Sequence, residues 1–347
     1  MNLIEYAHRI PKAELHVHLE GSILPQTLLR LAQHNGVPLP ASDVRGLRDY
    51  YRFRDFAHFI DVYLMITACL KTPDDYTLIA YEFGQECHRQ NIRYAEVTFT
   101  IFTNMTMTGL PWQAILSGLN RGREQALADF GVYWQWVFDI VRNNPETQQS
   151  VLEITLAAQD QGVVALGLGG SEAEYPAELF RETFQQAYDL GLHRAPHSGE
   201  HAGPSSIWNS LQYLHAERLG HGVQAIFDPE LVAYLSQHQI PLECCPTSNV
   251  TLGVFPDYTH HPLRKLWDAG CLVTVNSDDP PLFNTDLNHE YQVLVEHFAF
   301  TALELEKISL NALQASFLSA EQKADYTQQF TAEFTRLRKF LTFVSNT

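Results

Sequence analysis

The sequence predicts an α/β fold, a (β/α)8 TIM barrel with extra helices, built as a single domain over residues 1–347. Three observations predict it. Short apolar runs recur eight times, helical patterns fill the intervals between them, and the polar residues able to bind a metal or move a proton fall at the ends of the runs. Strands that alternate with helices form parallel sheets, and eight is the number that closes such a sheet into a barrel.

In order, the runs are Ala13–Leu19, Ile92–Thr100, Val132–Ile140, Val163–Leu168, His193–His197, Arg218–Gly222, Ile240–Cys245 and Leu272–Asn276. Helix signals lie between them. Thr72-Pro73-Asp74-Asp75 offers an N-cap, a proline at the first helical position and acids in the first turn. Asp228-Pro229-Glu230 repeats that signal, with Leu231, Val232 and Leu235 on one face. From Pro204 to Ala216, Ile207, Leu211 and Leu214 recur at helical spacing. From His261 to Gly270, Leu263 and Leu266 point inward and Gly270 is a C′ stop. The rival fold is an open doubly wound sheet. It calls for a Gly-rich phosphate turn after the first strand, where this chain has HVHLEGS.

Composition narrows the function. The length of 347 residues is ordinary for a one-domain barrel. The formal net charge is -17, from 40 acidic and 23 basic residues, and it repels phosphate backbones. Nucleic acid and anionic membranes are therefore not expected partners. Five cysteines (Cys69, Cys87, Cys244, Cys245 and Cys271) form no CxxC pair and sit mostly in apolar runs, as reduced thiols of a cytoplasmic protein do. The N-terminal segment lacks a signal-peptide pattern, and no apolar stretch is long enough to cross a bilayer. Nothing in the sequence speaks to oligomeric state.

The chemistry collects at strand ends. His16 and His18 close the first run at i and i+2, which puts both imidazoles on one strand face, where they can chelate a borderline metal. His197 closes the fifth run, and Glu200 follows three residues later. Glu200 is either a proton shuttle or a first-turn acid of the next helix. His221, between glycines, is either a fourth ligand or an acid–base group facing a metal-bound water. Asp278 and Asp279 follow the eighth run. On an extended segment they point opposite ways, one to metal and one to substrate, although Asp-Asp-Pro-Pro is also a good turn sequence. Barrel strands all present their C-terminal ends at one face, so these residues converge on one metal held by three histidines and an aspartate, with a water in the open position. The remaining histidines read as bland: His260 and His261 as caps, His58 on an amphipathic helix, His289 in a polar loop.

Six segments together resemble the adenosine and adenine deaminase family of the amidohydrolase superfamily: PKAELHVHLEGS (11–22), LGLGGSE (166–172), HSGEHAG (197–203), ERLGHGV (217–223), CPTSNVTLGV (245–254) and VTVNSDDPPLF (273–283). The resemblance implies a (β/α)8 barrel and one zinc ion held by His16, His18, His197 and Asp278. It implies that Glu200 protonates the purine ring nitrogen beside the attacked C6 and that His221 orients and helps deprotonate the zinc-bound water. His18, Glu20, Gly170 and Asp279 become the substrate-contacting residues, with Asp279 on the opposite ring nitrogen and the Gly170 amide on the third. The implied reaction is hydrolytic deamination of adenosine or 2′-deoxyadenosine in purine metabolism. Alternatives in the class are 6-amino-6-deoxyfutalosine, a menaquinone precursor, and free adenine. At residue 20 the best-known adenosine deaminases have aspartate and this chain has glutamate, which leaves the sugar side open, whereas NTDLNHEY (284–291) looks nearer the nucleoside branch. The helix with Phe56, Phe59 and Ile60 is an apolar gate or ordinary packing. Two other classes compete. A catalytically dead metal-binding barrel would lack Glu200 or a ligand, and an oxidoreductase would carry GxGxxG; neither condition holds.

Overall fold

The computed structural model describes residues 1–53 and 56–341. Eight parallel strands pair in sequence order: β1 (Lys12–His18), β2 (Ile92–Phe99), β3 (Tyr133–Val141), β4 (Val163–Gly169), β5 (His193–Ser198), β6 (Leu219–His221), β7 (Leu242–Cys244) and β8 (Val273–Val275). Each lies within two residues of its sequence-predicted run. The ring closes where Asp278, just beyond β8, bridges Val17 of β1. There the His18 N–H donates to the Asp278 carbonyl at 2.9 Å, and the Asp278 N–H donates to the His16 carbonyl at 3.1 Å. An open sheet has no such bridge, so the rival fold is excluded.

The helices follow their caps. Thr72 and Asp75 exchange side-chain and backbone hydrogen bonds in a capping box that starts the helix Pro73–Arg89. Asp228 caps Pro229–His238. The helix Pro204–Tyr213 ends three residues before the predicted Ala216. Leu263–Asp268 is shorter than its predicted span, and Gly270 beyond it has φ 85°. His289 is in the helix Leu287–Phe298 rather than a polar loop, because the Asp286 side chain accepts from the His289 N–H and starts a helix there. His261 caps as expected, its Nδ1 accepting from the Leu263 N–H at 3.2 Å at the start of the helix Leu263–Asp268, but it is also buried, and its Nε2 pairs with the Asn249 side chain at 3.0 Å.

Side chains alternate along a strand, so Glu14, His16 and His18 share one face of β1. Beneath the strand ends this face meets a dry ionic cluster. Arg218 lies between Glu96 of β2 and Glu243 of β7, and all three are fully buried. Two acids around one guanidinium satisfy the requirement that buried charges be paired. The cluster also sets the floor on which the metal-type residues stand.

Candidate metal centre and active site

His16 is fixed first. Its Nδ1 pairs with Glu243 Oε2 at 3.0 Å and its buried Nε2 has no hydrogen-bond partner. Burial lowers the ring, but the Asp278 and Glu243 carboxylates outweigh it and raise it to about 10, so a metal at Nε2 would replace a proton there. A carboxylate behind an imidazole in this way selects the tautomer and raises ligand basicity. His16, His197, His221 and Asp278 each bring a donor atom within 4.8 Å of the others, and His18 joins them beside Asp278 and Asp279. Asp278 Oδ1 is 3.5 Å from His16 Nε2 and 3.4 Å from His18 Nε2, and His18 Nε2 stands 3.2 Å from His197 Nε2. A four-coordinate zinc with bonds of about 2.0–2.1 Å spaces its ligand atoms about 3.3–3.4 Å apart. The observed separations match that spacing. Burial pushes His18 down to about 4 and holds His197 well below the ordinary imidazole range. Both rings are therefore neutral, the form that binds metal. The donor set fits one divalent ion.

Backbone conformation brings the acids and His221 into the same space. His221 has φ 61° and Asp278 has φ 63°, left-handed values that cost energy outside glycine and recur at functional sites. The left-handed turn at Asp278 overturns the expectation that Asp278 and Asp279 point opposite ways: both line one cavity. Ser248 Oγ donates to Asp278 Oδ2 at 2.7 Å, and Asn249 links His221 Nδ1 to His261. His221 Nε2 is 3.7 Å from Glu200 Oε2 and 3.9 Å from Asp278 Oδ2, so it stands between the acid and the metal donors. Gly21 permits the closest approach. A Cβ there would fall 1.7 Å from Asp279 Oδ1.

Glu200 is not in the following helix, which begins at Pro204. It sits on a loop clamped by Glu172, whose carboxylate accepts the N–H groups of Gly199, Glu200 and His201 at 2.7, 2.9 and 3.2 Å and the Ser206 hydroxyl at 2.6 Å. Burial alone would raise the Glu200 carboxyl. His221 and His201 outweigh it and hold the group below its ordinary value. Asp279 goes the other way: burial and then the Asp278 charge push it well up, toward the protonated form that can donate a hydrogen bond.

These residues line a cavity of about 330 Å³ with Gly170, Asp139, Tyr63 and the apolar Phe59, Ile60, Leu64 and Leu252. Volume alone does not single it out. A cavity of about 340 Å³ behind the 277–286 segment is lined by Glu14, Arg89 and Asp286 and has none of the four metal-type donors. The helix Phe56–Ala68 supplies Phe59 and Ile60 to the wall, as the gate reading expects; the Phe56 side chain lies outside the described residues. Glu20 is beside the cavity, not in its wall. Its Oε1 accepts from the Thr100 N–H at 3.1 Å and Asn104 Nδ2 at 2.7 Å, and its Oε2 from the Tyr63 hydroxyl at 3.0 Å. Sequence reasoning missed Glu172, Glu243, Arg218, Asn249, His261 and Asp139. Glu172, Arg218 and Asn249 lie inside the matched segments LGLGGSE, ERLGHGV and CPTSNVTLGV. Glu243 and Asp139 carry no local signal.

Comparison with known proteins places this architecture. The adenosine deaminase family model matches residues 11–332. An aminodeoxyfutalosine deaminase of Streptomyces avermitilis is 40% identical over 319 residues, covering 91% of this chain and 88% of the relative. An adenine deaminase of Cupriavidus necator is 36% identical over 325 residues, covering 93% and 92%. The crystal structure of an amidohydrolase from Burkholderia ambifaria with bound Zn superposes with TM-score 0.90 at 26% identity, covering 97% of this chain and 94% of that one.

Proposed function

This chain belongs to the adenosine deaminase family, hydrolases of C–N bonds in cyclic amidines, and we propose that it removes the 6-amino group of an adenine-bearing small molecule by zinc-dependent hydrolysis. The observation that carries the reading is the convergence of His16, His18, His197 and Asp278, at zinc-ligand spacing, beside Glu200 and His221. One ion per chain held by those four would acidify a water to a pKa of about 7.

The chain's own residues do the rest. Glu200, ionised at rest, takes the water's proton and passes it to the purine nitrogen beside C6. An aromatic amidine carbon is a poor electrophile until that nitrogen is protonated, so the transfer matters most in the transition state. His221, fixed through Asn249, orients the water and stabilises the oxygen that develops charge at C6. Asp279, held in its protonated form, donates to the opposite ring nitrogen, and the Gly170 amide serves the third. Glu20 acts through Tyr63: it accepts a hydrogen bond from the Tyr63 hydroxyl at 3.0 Å and so holds that side chain in the cavity wall. His18 flanks the substrate as well as the metal. As C6 collapses to the carbonyl, the proton of its hydroxyl passes by way of Glu200 to the amino group, the C6–N bond breaks, and ammonia leaves.

The substrate is a 6-aminopurine, as a nucleoside or as the free base. The relatives carry the names of the two alternatives to adenosine, and the 40% identity to an aminodeoxyfutalosine deaminase puts that larger nucleoside first, with adenosine and adenine behind it. Side-by-side kcat/KM values on aminodeoxyfutalosine, adenosine, 2′-deoxyadenosine and adenine decide the order. Failure to release ammonia from any of them, with zinc bound, would sink the proposal.

A further inference from the structure

Asp139 is the acid of the cavity to which the mechanism gives no task. It lies in β3, is 4% exposed and lines the cavity wall, yet its Oδ1 has no hydrogen-bond partner. A dry carboxylate oxygen is costly unless something supplies a proton to it. The neighbouring acid, Glu20, offers no comparable vacancy, because Thr100, Asn104 and Tyr63 already occupy both of its oxygens. Thr100 reaches the Asp139 carboxylate with a side-chain hydrogen bond, so the acceptor capacity left on this side of the cavity is that of one Asp139 oxygen, Oδ1.

What it accepts follows from the chemistry of a 6-aminopurine. The ring nitrogens at positions 1, 3 and 7 carry lone pairs and need donors, tasks the proposed mechanism gives to Glu200, the Gly170 amide and Asp279. The 6-amino group belongs at the metal end, where His197, Asp278 and Glu200 meet. The donors left are at nitrogen 9: its own N–H in the free base, or a hydroxyl of a sugar attached there. We infer that Asp139 is a substrate-contacting residue that accepts a hydrogen bond from this nitrogen-9 side, and that it sets the enzyme's preference for substrates with a donor there. The inference rests on the deaminase reading. Burial raises the Asp139 carboxyl to about 6, so it is still mainly ionised, and an acceptor, at pH 7–8.

The experiment compares matched substrates in the zinc-loaded full chain. Whichever substrate the wild type deaminates best is paired with its analogue lacking the donor: 9-methyladenine for adenine, or the nucleoside without its 2′- or 3′-hydroxyl. Asp139→Ala and Asp139→Asn are measured on both members. Asp139→Ala should lose about 10–100-fold in kcat/KM on the donor-bearing substrate, mostly through KM, and should no longer distinguish the pair. Asp139→Asn should retain part of the preference, with zinc content and melting temperature near wild type for both variants. An equal loss on both members, or no loss at all, overturns the inference. A wild type that deaminates nothing overturns the deaminase reading instead.

Discussion

The two halves of the barrel hold their functional groups in different ways. From β1 to β4 the strands run seven to nine residues, and a backbone ladder fixes them. From β6 to β8 each strand is only three residues long. His16, His18, Asp139 and Gly170 ride at the ends of long strands. His221 ends β6 and Asp278 follows β8, both in left-handed turns. Barrel closure gives Asp278 two backbone bonds to β1, and side chains supply the rest of the hold. Glu172 holds the 199–201 loop, Asn249 and His261 hold His221, and Ser248 holds Asp278. The difference teaches where catalysis is fragile. In the long-strand half a lost side chain weakens the fold, whereas in the short-strand half it displaces the chemistry.

Several substitutions break or sharpen that contrast. Glu200→Gln should keep zinc by elemental analysis yet lose about 10³-fold or more in kcat, in the upper part of the range for general acid–base groups. Activity near wild type would remove Glu200 from the proton path. Glu172→Gln cannot accept four donors, so the loop should loosen; kcat should fall about 10–100-fold with zinc retained. If kcat holds, the ladder alone positions Glu200 and the contrast fails. His261→Ala acts two links away, through Asn249, and should lower kcat by only about threefold, within the range expected for an indirect partner. Leu166→Ala, in the fully buried core of β4, should cost about 2–5 kcal/mol by urea denaturation. Its kcat per bound zinc should stay unchanged, and a large fall there would mean that the scaffold half also tunes the chemistry.

Much of the fold was legible because strands and helices are local. Short apolar runs located all eight strands to within two residues, and helical spacing, with Thr72, Asp228 and Gly270 as punctuation, located helices between them. His289 went astray because its capping residue, Asp286, sits among other polar residues that also resemble a loop. The candidate site was legible only in part. His16 and His18 declare themselves by spacing, and the six matched segments gather the rest. Asp139 stood in an apolar run with nothing beside it to suggest a cavity.

The sequence by itself determined which stretches become strands, how many there are, and which polar residues lie at their ends, because those properties depend on neighbours a few residues apart. Only the tertiary structure decided that Asp278 and Asp279 share one cavity, that Glu20 is tied back to Thr100, Asn104 and Tyr63, and that Asp139 keeps a free oxygen. Each of those outcomes rests on contacts between residues far apart in the chain or on a left-handed turn that barrel closure stabilises, and such energies have no signature in a short window of sequence.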